Sequence, residues 1–120
     1  MDGLPQGIDL KPLIGATVIE VCFGTHQFTV KLDGGDRIAV EGDCRIISPD
    51  RGLSNITGAT YAHHASELSQ VLGETVVAAT RRDDGGISVL FGSGVELQFL
   101  NDSREYEAFQ LYLGKHIYIA

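Results

Sequence analysis

The sequence predicts a single, mainly β domain with short helices, in which one antiparallel hairpin or meander unit occurs twice. Three observations support this: apolar and polar residues alternate along short segments, glycine-rich turns separate those segments, and the pattern of the first half recurs in the second. Alternation with period two is typical of strands that bury one face. We expect the two units to form a sandwich or an open barrel.

Matching positions in the two halves indicate an internal duplication. Four residue types of the first half recur 58 positions later: Leu10, Gly15, Thr17 and Val18 match Leu68, Gly73, Thr75 and Val76. After the insertion of one residue, apolar positions and glycines in 28–40 also match those in 87–99.

The domain predicted over residues 1–120 therefore contains repeats at approximately 9–47 and 67–113. The segment at approximately 48–65 lacks periodicity and a clear counterpart, so we predict that it is a connecting loop. Long loops within compact domains commonly carry function.

Each repeat is predicted to begin with a helical turn. Apolar residues stand at i, i+3 and i+4, which is one face of an α-helix, in two sets: Leu10, Leu13 and Ile14, and Leu68, Val71 and Leu72. Asp9 and Ser66 are suitable N-cap residues. Gly15 and Gly73 stand where a left-handed C-cap is expected.

Strands are predicted after each of these glycines. β-branched residues are frequent in 17–23 and 75–80, and two alternating hairpin strands follow in each repeat. Further strands are predicted at 44–47, 106–113 and 115–119. Glycines in the intervening turns permit the positive φ of tight hairpins.

The composition excludes several classes of function. Sixteen acidic and nine basic residues give a net charge of −7, and a chain with this balance and no basic cluster would repel nucleic acid. No apolar run approaches the ~20 residues of a membrane-spanning helix. The acidic balance suits solubility, and it would also suit a basic protein partner.

The chain shows no secretory leader pattern, and its two cysteines are separated widely, at Cys22 and Cys44. We therefore expect a cytoplasmic protein with reduced thiols. Neither cysteine lies in a pattern that would activate a nucleophile, and the histidines lack the spacing of a metal site. The residue patterns indicate no catalytic residue, metal or cofactor.

The residues that we predict to bind a partner or ligand lie in the 48–65 segment. Polar and aromatic side chains gather there without a counterpart in the other repeat: Arg51, Asn55, Tyr61, His63 and His64. Connections carry binding residues more often than the scaffold does.

Three patterns together resemble small bacterial families of two-repeat β domains of unknown function. They are Leu13-Ile14-Gly15-x-Thr17-Val18, then the alternating segment Phe28 to Val40, then Tyr106-Glu107-Ala108-Phe109-Gln110. Some members of similar families are linked to toxin-immunity systems. The resemblance implies a binding role of the immunity or antitoxin kind and carries over no catalytic residue.

We therefore predict a non-catalytic protein-interaction module without a cofactor. One alternative is a small-molecule-binding or enzymatic β-barrel that uses the 48–65 segment and its histidines; another is a structural homodimer. Clustering of Arg51, Tyr61, His63 and His64 around one apolar pocket would favour the ligand-binding alternative.

Overall fold

The computed structural model describes residues 3–58, 60–101 and 108–120, which form two antiparallel five-stranded sheets packed as a sandwich. This confirms the mainly β class. The strands are β1 (Val18–Phe23), β2 (Phe28–Leu32), β3 (Arg37–Val40), β4 (Cys44–Ser48), β5 (Gly52–Ile56), β6 (Val76–Arg81), β7 (Ile87–Phe91), β8 (Glu96–Phe99), β9 (Phe109–Leu113) and β10 (His116–Ile119). The short helices are α1 (Ala65–Leu68) and 3₁₀ turns at Lys11–Leu13, Asp33–Gly35, Tyr61–His64 and Ser69–Val71.

Each sheet combines strands from both halves of the chain. The first sheet has the order β1-β2-β3-β9-β10, and the second has the order β5-β4-β8-β7-β6. Three consecutive strands of one half are thus completed by the last two strands of the other half. The interlocking pairs are β3 with β9 and β4 with β8, both antiparallel.

The core lies between the sheets, as the alternation predicts. In β2 and β7 the first, third and fifth residues are buried, and β4 and β9 show the same pattern. An aromatic row crosses the interior: the rings of Phe28 and Phe99 are 6.3 Å apart, and those of Phe99 and Phe109 are 5.9 Å apart. Packed aromatic pairs of this kind add to the stabilisation from apolar burial.

The helical turns differ from the predicted α-helical face. Residues 11–13 and 69–71 form 3₁₀ turns, which have three residues per turn. Residues spaced by three, such as Leu10 and Leu13, are therefore buried together, whereas Ile14 is 49% exposed. The structure likewise puts Ser66 inside α1 rather than at an N-cap.

The prediction of a connecting loop over 48–65 is wrong for much of that segment. Residues 52–56 form β5, which pairs with β4, and residues 61–64 form a 3₁₀ turn. The sequence of β5 contains too few apolar residues to show the alternation that is typical of a strand, because β5 lies at the edge of its sheet. The prediction of a strand from Tyr106 falls partly outside the described residues, and β9 is described from Phe109 onward.

Candidate functional site

Two groups of residues are candidate sites: the predicted residues of the 48–65 segment, and a set of exposed aliphatic side chains. Arg51 lies exposed in the turn between β4 and β5, and Asn55 lies on β5, where its Oδ1 accepts a hydrogen bond from Arg45 Nε at 3.0 Å. His63 is exposed on the 3₁₀ turn that follows.

Glu67 organises part of this region. His64 Nδ1 lies 3.1 Å from Glu67 Oε1, and hydrogen bonds from Ser54 and His64, together with the charge of Arg51, lower the pKa of Glu67. Its backbone oxygen accepts from Gln70 Nε2 at 2.9 Å. The arrangement fastens the helical segment 61–71 to β5 through a carboxylate that stays ionised.

Tyr61 does not belong to this polar group. It is 1% exposed, its ring centroid lies 4.8 Å from that of Phe28, and its hydroxyl donates to the carbonyl oxygen of Gly42. Burial raises the pKa of Tyr61. The structure therefore corrects the prediction that Tyr61 is a binding residue, because the aromatic ring fills the core.

His64 bonds to Glu67, the charge of Arg51 lowers the pKa of that carboxylate, and Tyr61 points into the core, so the predicted residues do not surround one apolar pocket. Within residues 3–58, 60–101 and 108–120, no three side chains of His, Cys, Asp or Glu gather as a metal-binding group. No helix in the described part of the chain is long and apolar enough to span a membrane.

The second candidate lies where the two halves meet, at segments 14–19 and 72–77, here called the junction. Gly15 N donates to Val76 O at 2.8 Å, and Gly73 N donates to Val18 O at 2.8 Å. Val76 N bonds to Ala16 O and Val18 N bonds to Glu74 O, at 2.8 and 2.9 Å. When each residue is replaced by its counterpart 58 positions away, each bond becomes the other bond of its pair. The junction therefore has local two-fold symmetry.

Four exposed aliphatic side chains belong to this junction and form what we call the junction patch: Ile14 (49% exposed), Ile19 (60%), Leu72 (52%) and Val77 (49%). Ile19 and Val77 are the extra residues of bulges at the starts of β1 and β6. A bulge redirects side chains and interrupts the regular ladder. Ile14 and Leu72 precede the two glycines whose N–H groups bond across the junction.

Carboxylates adjoin the junction patch. Glu20 follows Ile19, Glu74 precedes the bridge between the halves, and Asp33 Oδ1 accepts a hydrogen bond from Thr17 N at 2.9 Å. Lys31 Nζ lies 3.8 Å from Glu20 Oε1. A cleft of about 240 Å³ borders the patch at Ile19 and is also lined by Lys31, Leu32, Gly35, Asp36 and Arg37.

Sequence reasoning missed the junction patch, although the sequence carries a signal for it. Each exposed aliphatic adjoins a buried one, in four doublets: Leu13-Ile14, Val18-Ile19, Val71-Leu72 and Val76-Val77. In the two doublets that lie on β1 and β6, neighbouring residues point to opposite faces of the strand, so one member must face away from the core. The recurrence of these doublets in both halves could have indicated an exposed apolar surface.

These features define a class of protein: a two-sheet antiparallel β-sandwich with interlocked halves and an aliphatic surface at their junction. Residues 10–120 match a family of unknown function, DUF6188, and the chain belongs to that family. No curated protein and no solved structure matches the chain.

Proposed function

We propose that this chain is a non-catalytic protein-interaction module that binds a partner protein through the junction patch. The observation that carries the proposal is the grouping of four large aliphatic side chains, each about half exposed, in two short segments that are bonded to each other. Large aliphatic side chains that stay exposed together on a small protein are typical of a binding site.

The charge around the patch supports a basic partner. Glu20, Asp33 and Glu74 adjoin it, and the whole chain carries a net charge of −7. An apolar centre with an acidic rim complements a partner surface with aliphatic side chains and a rim of lysine or arginine, and long-range attraction would speed association. A basic toxin bound in the cytoplasm by an immunity-type protein has this chemistry.

The ligand-binding alternative depended on Arg51, Tyr61, His63 and His64 sharing a pocket. Tyr61 fills the core, His64 bonds to Glu67 and His63 is exposed, so these residues do not share one pocket. The binding experiment also tests the homodimer alternative.

The test compares capture of partners from a lysate of the native host by three forms of the full chain. They are the wild type, a double variant Ile19→Ser and Val77→Ser, and the control Leu53→Ser, which alters a 54% exposed aliphatic on β5. We expect a basic protein to bind the wild type and the control but not the double variant, with recovery that falls as salt rises.

Because all three substituted side chains are at least about half exposed, the melting temperatures should stay close to that of the wild type. Equal capture by the double variant would contradict the proposal. Sedimentation equilibrium of the purified wild type and double variant tests the homodimer. A dimer that forms in the wild type and is absent in the double variant would show that a second copy covers the patch, and it would also contradict the proposal.

A further inference from the structure

A second surface, independent of the junction patch, lies at the free edge of β10. The register pairs His116 with Leu113 and Ile119 with Gln110, without a shift. Beyond the strand, Ala120 N donates to Phe109 O at 3.0 Å, and Phe109 N donates to Ala120 O at 3.4 Å. This pair therefore exchanges both hydrogen bonds of the ladder.

Hydrogen-bonded and non-bonded pairs alternate along an antiparallel ladder. Because Ala120 is in a bonded pair, Tyr118 and His116 are in bonded pairs as well, and they direct their backbone groups toward β9. Ile117 and Ile119 consequently direct their N–H and C=O groups away from β9, toward the free edge, and no described residue bonds to them there.

The side chains of the same two residues are also exposed, Ile117 by 60% and Ile119 by 43%. The edge thus combines outward-facing backbone donors and acceptors, which no described residue pairs, with aliphatic side chains on the outer face of the sheet. Tyr118, between them, packs against the core and holds the strand in place.

The other three edge strands carry features that discourage pairing. β1 and β6 each contain a bulge near the junction. On β5, Ser54 bonds to Glu67 of the helical segment 61–71, which lies against that strand. Bulges, coverage, charges and proline are the devices by which proteins protect sheet edges. From His116 to Ile119, β10 has a regular register and contains no lysine, acid or proline.

We propose that β10 accepts an extended segment of another polypeptide as an added strand, with aliphatic residues at alternate positions and acidic residues flanking them. The outward-facing N–H and C=O groups can bond to the backbone of an added strand, and the exposed isoleucines can pack against aliphatic side chains of that strand. Cations lie on this side of the sheet: Lys115 precedes β10, and Arg37 on β3, two strands from β10, stacks on Tyr112, the ladder partner of Ile117, at 4.0 Å from the ring centroid. Lys115 complements a carboxylate at the start of β10, and Arg37 complements one in a segment that continues over the outer face.

A second copy of the chain is a weaker candidate for this edge. Pairing of two four-residue strands buries far less than the roughly 1,200 Å² typical of a stable interface. An extended segment can instead continue beyond the strand and contact the cations on the outer face.

The probe is a short synthetic peptide of alternating valine and threonine with a glutamate at each end, titrated into the ¹⁵N-labelled full chain. The peptide residues that form bonded pairs with Ile117 and Ile119 place their side chains on the same face of the sheet as these isoleucines. The valines should occupy those positions, so their N–H groups should bond to β10. A peptide N-methylated at the valines should fail to bind. The matched peptide N-methylated at the threonines, whose N–H groups point away, should bind.

We expect saturable amide shifts centred on residues 117–119 and exchange of the Ile117 and Ile119 amide hydrogens slowed at least about tenfold at saturation. The variant Ile119→Pro removes an outward donor without removing a ladder bond, which edge strands tolerate. It should keep the folded spectrum and weaken peptide binding at least about tenfold, about 1.4 kcal/mol. Leu53→Lys on β5 is the control and should bind normally.

Three results would overturn the proposal: no saturable shift at millimolar peptide, equal shifts with the valine-methylated peptide, or shifts centred on another strand. Protection of Ile117 and Ile119 that rises with protein concentration in the absence of peptide would assign the edge to a second copy and would overturn it as well. If Ile119→Pro does not fold, Ile117→Lys provides the same test through a charge on the edge.

Discussion

Thr17 and Thr75 face each other across the junction, with their Oγ atoms 3.0 Å apart at a sequence separation of 58. They form an isolated antiparallel bridge between the start of β1 and the start of β6. The pair lies at the centre of the four symmetry-related backbone bonds, so the two halves contact each other there through equivalent residues.

The first prediction concerns this threonine pair. In a double-mutant cycle of Thr17→Ala and Thr75→Ala, we expect a coupling free energy of about 0.2–1 kcal/mol, because a cross-strand threonine pair at the surface competes with water for its hydrogen bond. Urea unfolding measures it. A second cycle of Thr17→Ala with Thr80→Ala, a residue at the far end of β6, should give no coupling; equal coupling in both cycles would contradict the prediction.

The second prediction concerns the two glycines of the junction. Gly15 and Gly73 have φ of +89° and +82°, and an added Cβ would meet nothing within 4 Å, so only backbone strain opposes alanine. Gly15→Ala and Gly73→Ala should each lower the free energy of unfolding by about 1–2 kcal/mol. Gly92→Ala is the matched control, because its Cβ would make an ordinary contact 3.8 Å from Val77 Cγ1 and no left-handed φ is required. A similar loss in the control would exclude strain as the cause.

The third prediction concerns pH. Because the pKa of Glu67 is lower in the folded chain than its ordinary value, the carboxylate stabilises the fold above that ordinary value. The stabilisation is lost as pH falls through the lowered folded pKa. Glu67→Gln should therefore destabilise the chain at pH 7 by less than about 1 kcal/mol, since the group is partly exposed, and the difference should shrink toward pH 3.

Urea unfolding at several pH values between these limits measures the effect of Glu67. Asp50→Asn, in the exposed turn between β4 and β5, serves as the control and should show a smaller pH-dependent difference. A difference between wild type and Glu67→Gln that grows on acidification would contradict the assigned role.

The fourth prediction concerns the thiols. Burial raises the pKa of Cys44 to about 12, and its side chain is 1% exposed, whereas Cys22 is partly exposed on β1. An alkylating reagent at pH 8 should modify Cys22 first and Cys44 only when the chain unfolds, because thiolate and access are both required. Two free thiols should be found in urea without reductant. Mass spectrometry of the modified peptides shows which cysteine is alkylated, and fast labelling of Cys44 in the folded chain would contradict the prediction.

The fifth prediction concerns Tyr61. Tyr61→Ala should destabilise the fold by about 3–5 kcal/mol through the cavity it leaves, while Tyr61→Phe should cost about 1 kcal/mol through the lost bond to Gly42. His63→Ala, at an exposed position of the same turn, should change stability little. Thermal unfolding measures all three. Loss of partner binding by a fully stable Tyr61→Phe would restore Tyr61 as a binding residue.

The residues of the junction patch, such as Ile19 and Val77, were not predicted from the sequence. Of the residues that were predicted, His64 bonds to Glu67, Asn55 lies on β5 and Tyr61 belongs to the core, and a binding role for the exposed ones stays a prediction. Residue type alone favours a binding role for a tyrosine in a polar segment. Its burial depends on contacts with Phe28 and Gly42, which are distant in sequence.

The duplication of 9–47 and 67–113 stays a prediction, supported by the symmetric bonds of the junction and by bulges at Ile19 and Val77. A second sequence from the same family in which the aliphatic doublets recur in both halves would strengthen it; loss of the doublets from one half would weaken it.

By itself the sequence determined the β class, the hairpins and the glycines at positive φ, because alternation and turn chemistry are local properties of the chain. Only the tertiary structure decided that β4 and β5 complete the sheet of the other half, since strand pairing across the chain depends on non-local hydrogen bonds. It also decided which member of each aliphatic doublet faces solvent. That choice follows from the 3₁₀ turns and bulges, whose geometry is fixed only when the two halves bond to each other.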